Sequence, residues 1–141
     1  MAEIAADTIF KTAPRAGRMS FEAGETIYAG ALVCIAAGTG LLTLCGVAAT
    51  DFFVGIALNG GVITEDIRVD TSGVTLRHID IASSVQTSVM KPVWPANGNP
   101  EDLSLSDPAG ILAVGVVSRF HSGDDCDVML FTPTEHLAQP T

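Results

Sequence analysis

The sequence predicts an all-β protein: a sandwich or small barrel of short strands with an extended N-terminal arm. Three observations lead there. Short apolar runs alternate with Gly, Pro, Asn and Asp clusters along most of the chain, as strands of about four to eight residues joined by tight turns do. No stretch carries an apolar stripe at helical spacing with a cap at each end. The length of 141 residues suits one domain with a real core and not two.

Taken in order, residues 1–20 come first and differ from the rest. They hold Glu3 and Asp7 against Lys11, Arg15 and Arg18, a balance of +1 where the remainder of the chain carries -10. Pro14 and Gly17 interrupt them, so they read as an arm. The run "ETIYAGALVCIAA" then meets a turn at Gly38-Thr39-Gly40, and "LLTLCGVAA" follows. A two-residue turn at Thr39-Gly40 sets Gly38 opposite Leu41 and Cys34 opposite Cys45. "FFVGIALNG" ends at Asn59-Gly60-Gly61, and "VITEDIRVD" ends at Thr71-Ser72-Gly73. "VTLRHIDIA" alternates through Val74, Leu76, Ile79 and Ile81, with a slip near His78. Pro92 and Pro95 in "VMKPVWPA" suit an edge strand or a bulge. The polar segment 96–110 has room for one helical turn. "ILAVGVVSRF" and "CDVMLF" close the series, and "TPTEHLAQPT" is a Pro-bounded tail. The domain boundaries follow: arm 1–20, β domain 21–131, tail 132–141.

Net charge is -9 and the isoelectric point is near 4.4. Such a surface repels phosphates, which argues against direct nucleic acid binding. Only 16% of residues are charged and mean hydropathy is +0.40, against about 25% charged in an ordinary soluble domain. A small domain with so few charges is expected to have part of its surface covered, by lipid or by neighbours. Between Glu25 and Glu65 the only charge is Asp51. The seven glycines in that stretch, its acidic flanks and the lack of bracketing Lys or Arg argue against a membrane helix. "MAEIAADTIFK" lacks the basic start and apolar run of a signal peptide. Cys34, Cys45 and Cys126 form no CxxC pair, so reduced thiols and synthesis in a cytoplasm are expected.

The most chemically suggestive segment is "HSGDDCD", His121 to Asp127. His121, Asp124, Cys126 and Asp127 are atom types that zinc accepts, but one tight loop seldom aims four near neighbours at a point. The acids also follow Gly123 instead of preceding it, which breaks the calcium-loop pattern. The segment reads as a hairpin turn without a structural metal. Gly38-Thr39-Gly40 lacks the third glycine of a dinucleotide site, and no nucleophile elbow surrounds a serine. His78 reads as a surface or packed histidine, His136 as part of the tail, and Trp94 as a packing or interface residue. No catalytic residue and no cofactor are expected.

Residues 21–35, "FEAGETIYAGALVCI", resemble the opening of head decoration (cement) proteins of tailed bacteriophages, in which a G-x-x-I-x-x-G-x-L-V run precedes a short turn and a second strand. "VGIALNGG", "KPVWPA" and "GILAVGVVSRF" keep the same order later in the chain. The resemblance covers about residues 21–131. It implies a β-barrel or β-tulip domain bound to the outside of an expanded capsid, with the major capsid protein as partner, a homotrimer as the common state and the virion exterior as location. It also implies an arm that reaches across the shell. On this chain Ile4, Ile9 and Phe10 would fill grooves there while Lys11, Arg15 and Arg18 meet acidic groups. A head-fibre or tail component is the nearest alternative. A small β-barrel enzyme or ligand-binding module is the rival of a different class.

Overall fold

The structure is a computed structural model that describes residues 17–46, 51–108 and 110–139. It is all-β, as the sequence predicts. Five strands, β1 (Arg18–Glu22), β2 (Leu32–Ile35), β3 (Leu42–Leu44), β4 (Phe52–Ala57) and β5 (Asp66–Asp70), form one antiparallel sheet in the order β1-β5-β4-β2-β3. This sheet curls on itself. Just past β1, the Ala23 amide donates to the Glu65 carbonyl at 2.9 Å, and the Gly24 amide donates to the Leu42 carbonyl of β3 at 2.8 Å. The resulting half-barrel encloses Ile27, Val33, Leu42, Val54, Ile67 and Val69.

The second sheet is β6 (Thr75–Asp80), β7 (Pro92–Val93), β8 (Gly115–Ser122) and β9 (Asp125–Leu130), in the order β6-β9-β8-β7. Val117, Cys126, Val128 and Leu130 from this sheet meet Leu32, Cys34 and Phe53 from the first in a second core. Strands β2 and β4 therefore bury side chains on both faces: Leu32 and Phe53 toward one core, Val33 and Val54 toward the other. Two buried faces explain why "LVCI" and "FFV" do not alternate with polar residues. Within β4, Gly55 has φ +149 and lies so close to β5 that a Cβ there would land on the Asp70 carbonyl oxygen. The strand can pass at that point only as glycine. The β2–β4 register also shifts there, between Val33 and Cys34.

Pro92 sits on the exposed outer strand β7, where its missing N–H leaves no gap in the sheet. Segment 96–110 contains one 3-10 turn, Pro100–Asp102. The β8–β9 hairpin turns at Gly123 and Asp124, as expected, with Gly123 at φ +54.

Three local expectations change. The β2–β3 connection is a four-residue loop, because the Ala36 amide donates to the Leu41 carbonyl at 3.0 Å. The register accordingly pairs Cys34 with Thr43, and Cys45 lies opposite Leu32, to whose carbonyl its amide donates at 3.0 Å. Cys34 and Cys45 are thus diagonal neighbours, with Cα atoms 5.1 Å apart, and they form a disulfide. The expectation of three reduced thiols is corrected: only Cys126 is free, and it is buried. At the N-terminal boundary, residues 18–20 of the expected arm belong to β1, with Arg18 opposite Asp70. At the other end, the tail forms a short helix, α1 (Pro133–Leu137), with a capping box: the Glu135 amide donates to Thr132 Oγ1 and the Thr132 amide to Glu135 Oε1. Its His136 packs edge-on against Phe52 and Phe53, with ring centroids 5.9 and 5.8 Å away. No helix among the described residues is long and apolar enough to cross a membrane.

Candidate functional site

Of the residues expected to contact a capsid, Arg18 opens β1. Ile4, Ile9, Phe10, Lys11 and Arg15 lie outside the described residues. Two other surfaces are built by the described part of the chain.

The first is an apolar tip at one end of the half-barrel. Ile27 and Gly61 exchange two backbone hydrogen bonds, of 2.8 and 3.0 Å, which draws the segment between β1 and β2 against the β4–β5 hairpin. Tyr28 follows Ile27 and is 68% exposed, while Val62 and Ile63 follow Gly61 and are 53% and 58% exposed. The hairpin end is firmly built. The Glu65 amide donates to the Val62 carbonyl, Glu65 Oε1 accepts from the Val62 amide at 2.8 Å, and Asn59 Oδ1 accepts from the Arg68 amide at 2.7 Å. Tight turns are ordinarily tipped by Gly, Asn, Asp or Ser, each suited to the bend or to water. Here the rigid tip presents Val62 and Ile63, with Leu58 also exposed nearby along the chain. Val62 and Ile63 thus place branched apolar side chains in water at the end of a hydrogen-bonded turn.

The second is a cluster of histidines and carboxylates on the outer face of the second sheet. Strand β9 is central, and alternation puts Asp125 and Asp127 on the face opposite buried Cys126 and Val128. A bulge in β6 between Leu76 and Ile79, and one in β8 between Phe120 and Ser122, flank it on either side. These irregularities re-aim His78 and His121. Their rings stack with centroids 4.4 Å apart and planes 22° from parallel. His78 Nδ1 lies 3.0 Å from Asp125 Oδ2, and His121 Nε2 lies 2.8 Å from Asp127 Oδ1. The His78 amide also donates to Asp127 Oδ1, at 3.0 Å. The His121 contact first, and the His78 amide second, hold the Asp127 carboxyl below the usual carboxylate range. Beside the cluster lies an open depression of about 330 Å³ lined by His78, Asp80, Ser122, Asp124 and Asp125.

Sequence reasoning weighed His121 only with ligands from its own loop. The structure supplies His78 from another strand, and it separates Cys126 from the cluster by the thickness of the sheet. The slip near His78 was the sole signal of this in the sequence. Trp94 is partly buried and donates Nε1–H to the Ile111 carbonyl at 3.0 Å, a packing role. No family model matches the chain, and no curated protein is significantly similar to it.

Proposed function

We propose that the chain is a structural virion protein that binds the outer surface of an expanded phage capsid and stabilises it. The observation that carries this reading is the apolar tip formed by Tyr28, Val62 and Ile63 on a chain with only 16% charged residues. Burying the branched apolar side chains of this turn against a partner would contribute about 25 cal/mol for each Å² of apolar area removed from water. The resemblance of residues 21–131 to decoration proteins, read from the sequence, favours the same role. The Cys34–Cys45 bond suits a protein that works on a particle outside the cell, where oxidised pairs persist. The partner is the major capsid protein, and the functional unit is a homotrimer. Binding that selects the expanded lattice stabilises that lattice by linkage and needs no catalytic group.

The experiment is capture of the purified protein by expanded heads of its cognate phage, followed by sedimentation and negative-stain microscopy. The double variant Val62→Asp/Ile63→Asp places two charges on the tip without touching either core. It is expected to fold as the parent does and to lose capture by about tenfold or more, as for truncation of central interface anchors. Undiminished capture would remove the tip from the interface. A saturable small-molecule site on a soluble monomer would favour a ligand-binding module instead.

A further inference from the structure

We propose that His78, His121 and Asp125 form a binding site for a first-row divalent cation of the zinc class. This site is independent of the capsid reading. Each of the three residues offers one ligand atom, and these atoms lie within 4.8 Å of one another. Tetrahedral zinc with bonds of about 2.0–2.1 Å spaces its ligand atoms about 3.3 Å apart, so rotation of exposed side chains closes the set. The two most exposed ligands already stand at 3.0 Å, His78 Nδ1 to Asp125 Oδ2.

Three further features point to a ligand and not to an incidental surface cluster. His78 has φ +56, a left-handed conformation that costs an ordinary side chain free energy and that concentrates at binding sites. The one bulge of the β6–β9 pairing falls at His78, and one of the two in the β8–β9 pairing falls at His121. Asp127 is 7% exposed and accepts from His121 Nε2 and from the His78 amide through the same oxygen. That is the arrangement by which an outer carboxylate fixes the tautomer and orientation of a metal-binding imidazole. Two imidazoles and one carboxylate select zinc, cobalt or nickel over calcium and magnesium, which prefer all-oxygen shells. Three protein ligands would leave a fourth position for water.

The test uses untagged full-length protein, stripped with a chelator and then freed of it, titrated with zinc chloride by calorimetry. Bound metal is counted by elemental analysis after dialysis. The expected result is about one zinc per chain, with millimolar magnesium failing to displace it. Cobalt(II) in its place should give the visible absorption of tetrahedral coordination. His78→Asn keeps a side chain that tolerates positive φ, and Asp125→Asn keeps shape without charge. Each is expected to weaken binding at least as much as Asp127→Asn, for which loss of the outer carboxylate predicts about 10–100-fold. His136→Gln, remote from the cluster, should bind as the parent does. Thermal melts identify which variants are folded. Parent protein that retains no zinc after dialysis overturns the proposal, and so does a folded His78→Asn or Asp125→Asn variant with parental affinity.

Discussion

His136 shows how one side chain ties the C-terminal segment to the core. It is 4% exposed, its ring lies against Phe52 and Phe53, and Nδ1 is 3.0 Å from the Ala113 carbonyl. Gln139 holds the same residue, accepting from the Ala113 amide at 2.9 Å and donating to its carbonyl at 2.6 Å. Burial pushes the imidazole pKa below its ordinary 6.5, and the contact with Ala113 opposes that only in part. The fold therefore holds the neutral ring. Its contribution is complete above the unfolded value of about 6.5 and is lost as pH falls toward the lower folded value, because the unfolded chain then binds the extra proton. Denaturant midpoints measured across that interval should fall for the parent, and more steeply than for His136→Gln. Equal slopes would mean that the ring is protonated in place. In the sequence this residue looked like part of a polar tail, since "TPTEHLAQPT" has no apolar stripe and its partners Phe52, Phe53 and Ala113 are far away along the chain. The His78–His121 stack was hidden for the same reason. A pairing across β9 depends on two bulges, and a bulge leaves only a break in alternation as its trace.

Among the elements, strands were the most legible part of the sequence because side-chain alternation and turn residues act locally. The runs at 52–57, 66–70, 75–80, 115–122 and 125–130 fall where the pattern puts them, and Pro92 marks an outer strand as its missing donor requires. Register was less legible. Gly38-Thr39-Gly40 announces a turn but not its length, and a loop of four residues in place of two moved Cys45 from Cys34 to Leu32. The diagonal that results is still within reach of a bond. Closing a loop with a sequence separation of 11 restricts the unfolded chain enough to contribute about 3 kcal/mol. Cys34→Ser/Cys45→Ser should lower the unfolding free energy by about that amount, and reductant should do the same to the parent but not to the variant. Alkylation of the denatured, unreduced protein should mark Cys126 alone. Three labelled cysteines would return the pair to free thiols.

At the scale of the whole molecule, the half-barrel and the second sheet share β2 and β4 as a common wall, with a core on each side. That plan leaves the apolar tip at one end and the histidine–carboxylate face on the outside of the other sheet. The low charge of the sequence led to the expectation of covered surface, and the proposed function assigns that role to the tip. Its parts are far apart along the chain, and Tyr28 and Val62 become diagonal neighbours only through the antiparallel Ile27–Gly61 bridge. With β1 starting at Arg18, a deletion that tests residues 1–16 as a capsid-binding arm leaves every described strand intact. The central claim is that the protein recognises the expanded head. Its most direct test is a pair of saturation curves, for the same protein on unexpanded and on expanded heads of its phage, read by sedimentation. The account predicts saturable binding to expanded heads, little to unexpanded ones, and a rise in the melting temperature of the decorated heads, as selective binding to one state requires. Equal binding to both lattices, or none to the expanded one, would contradict it.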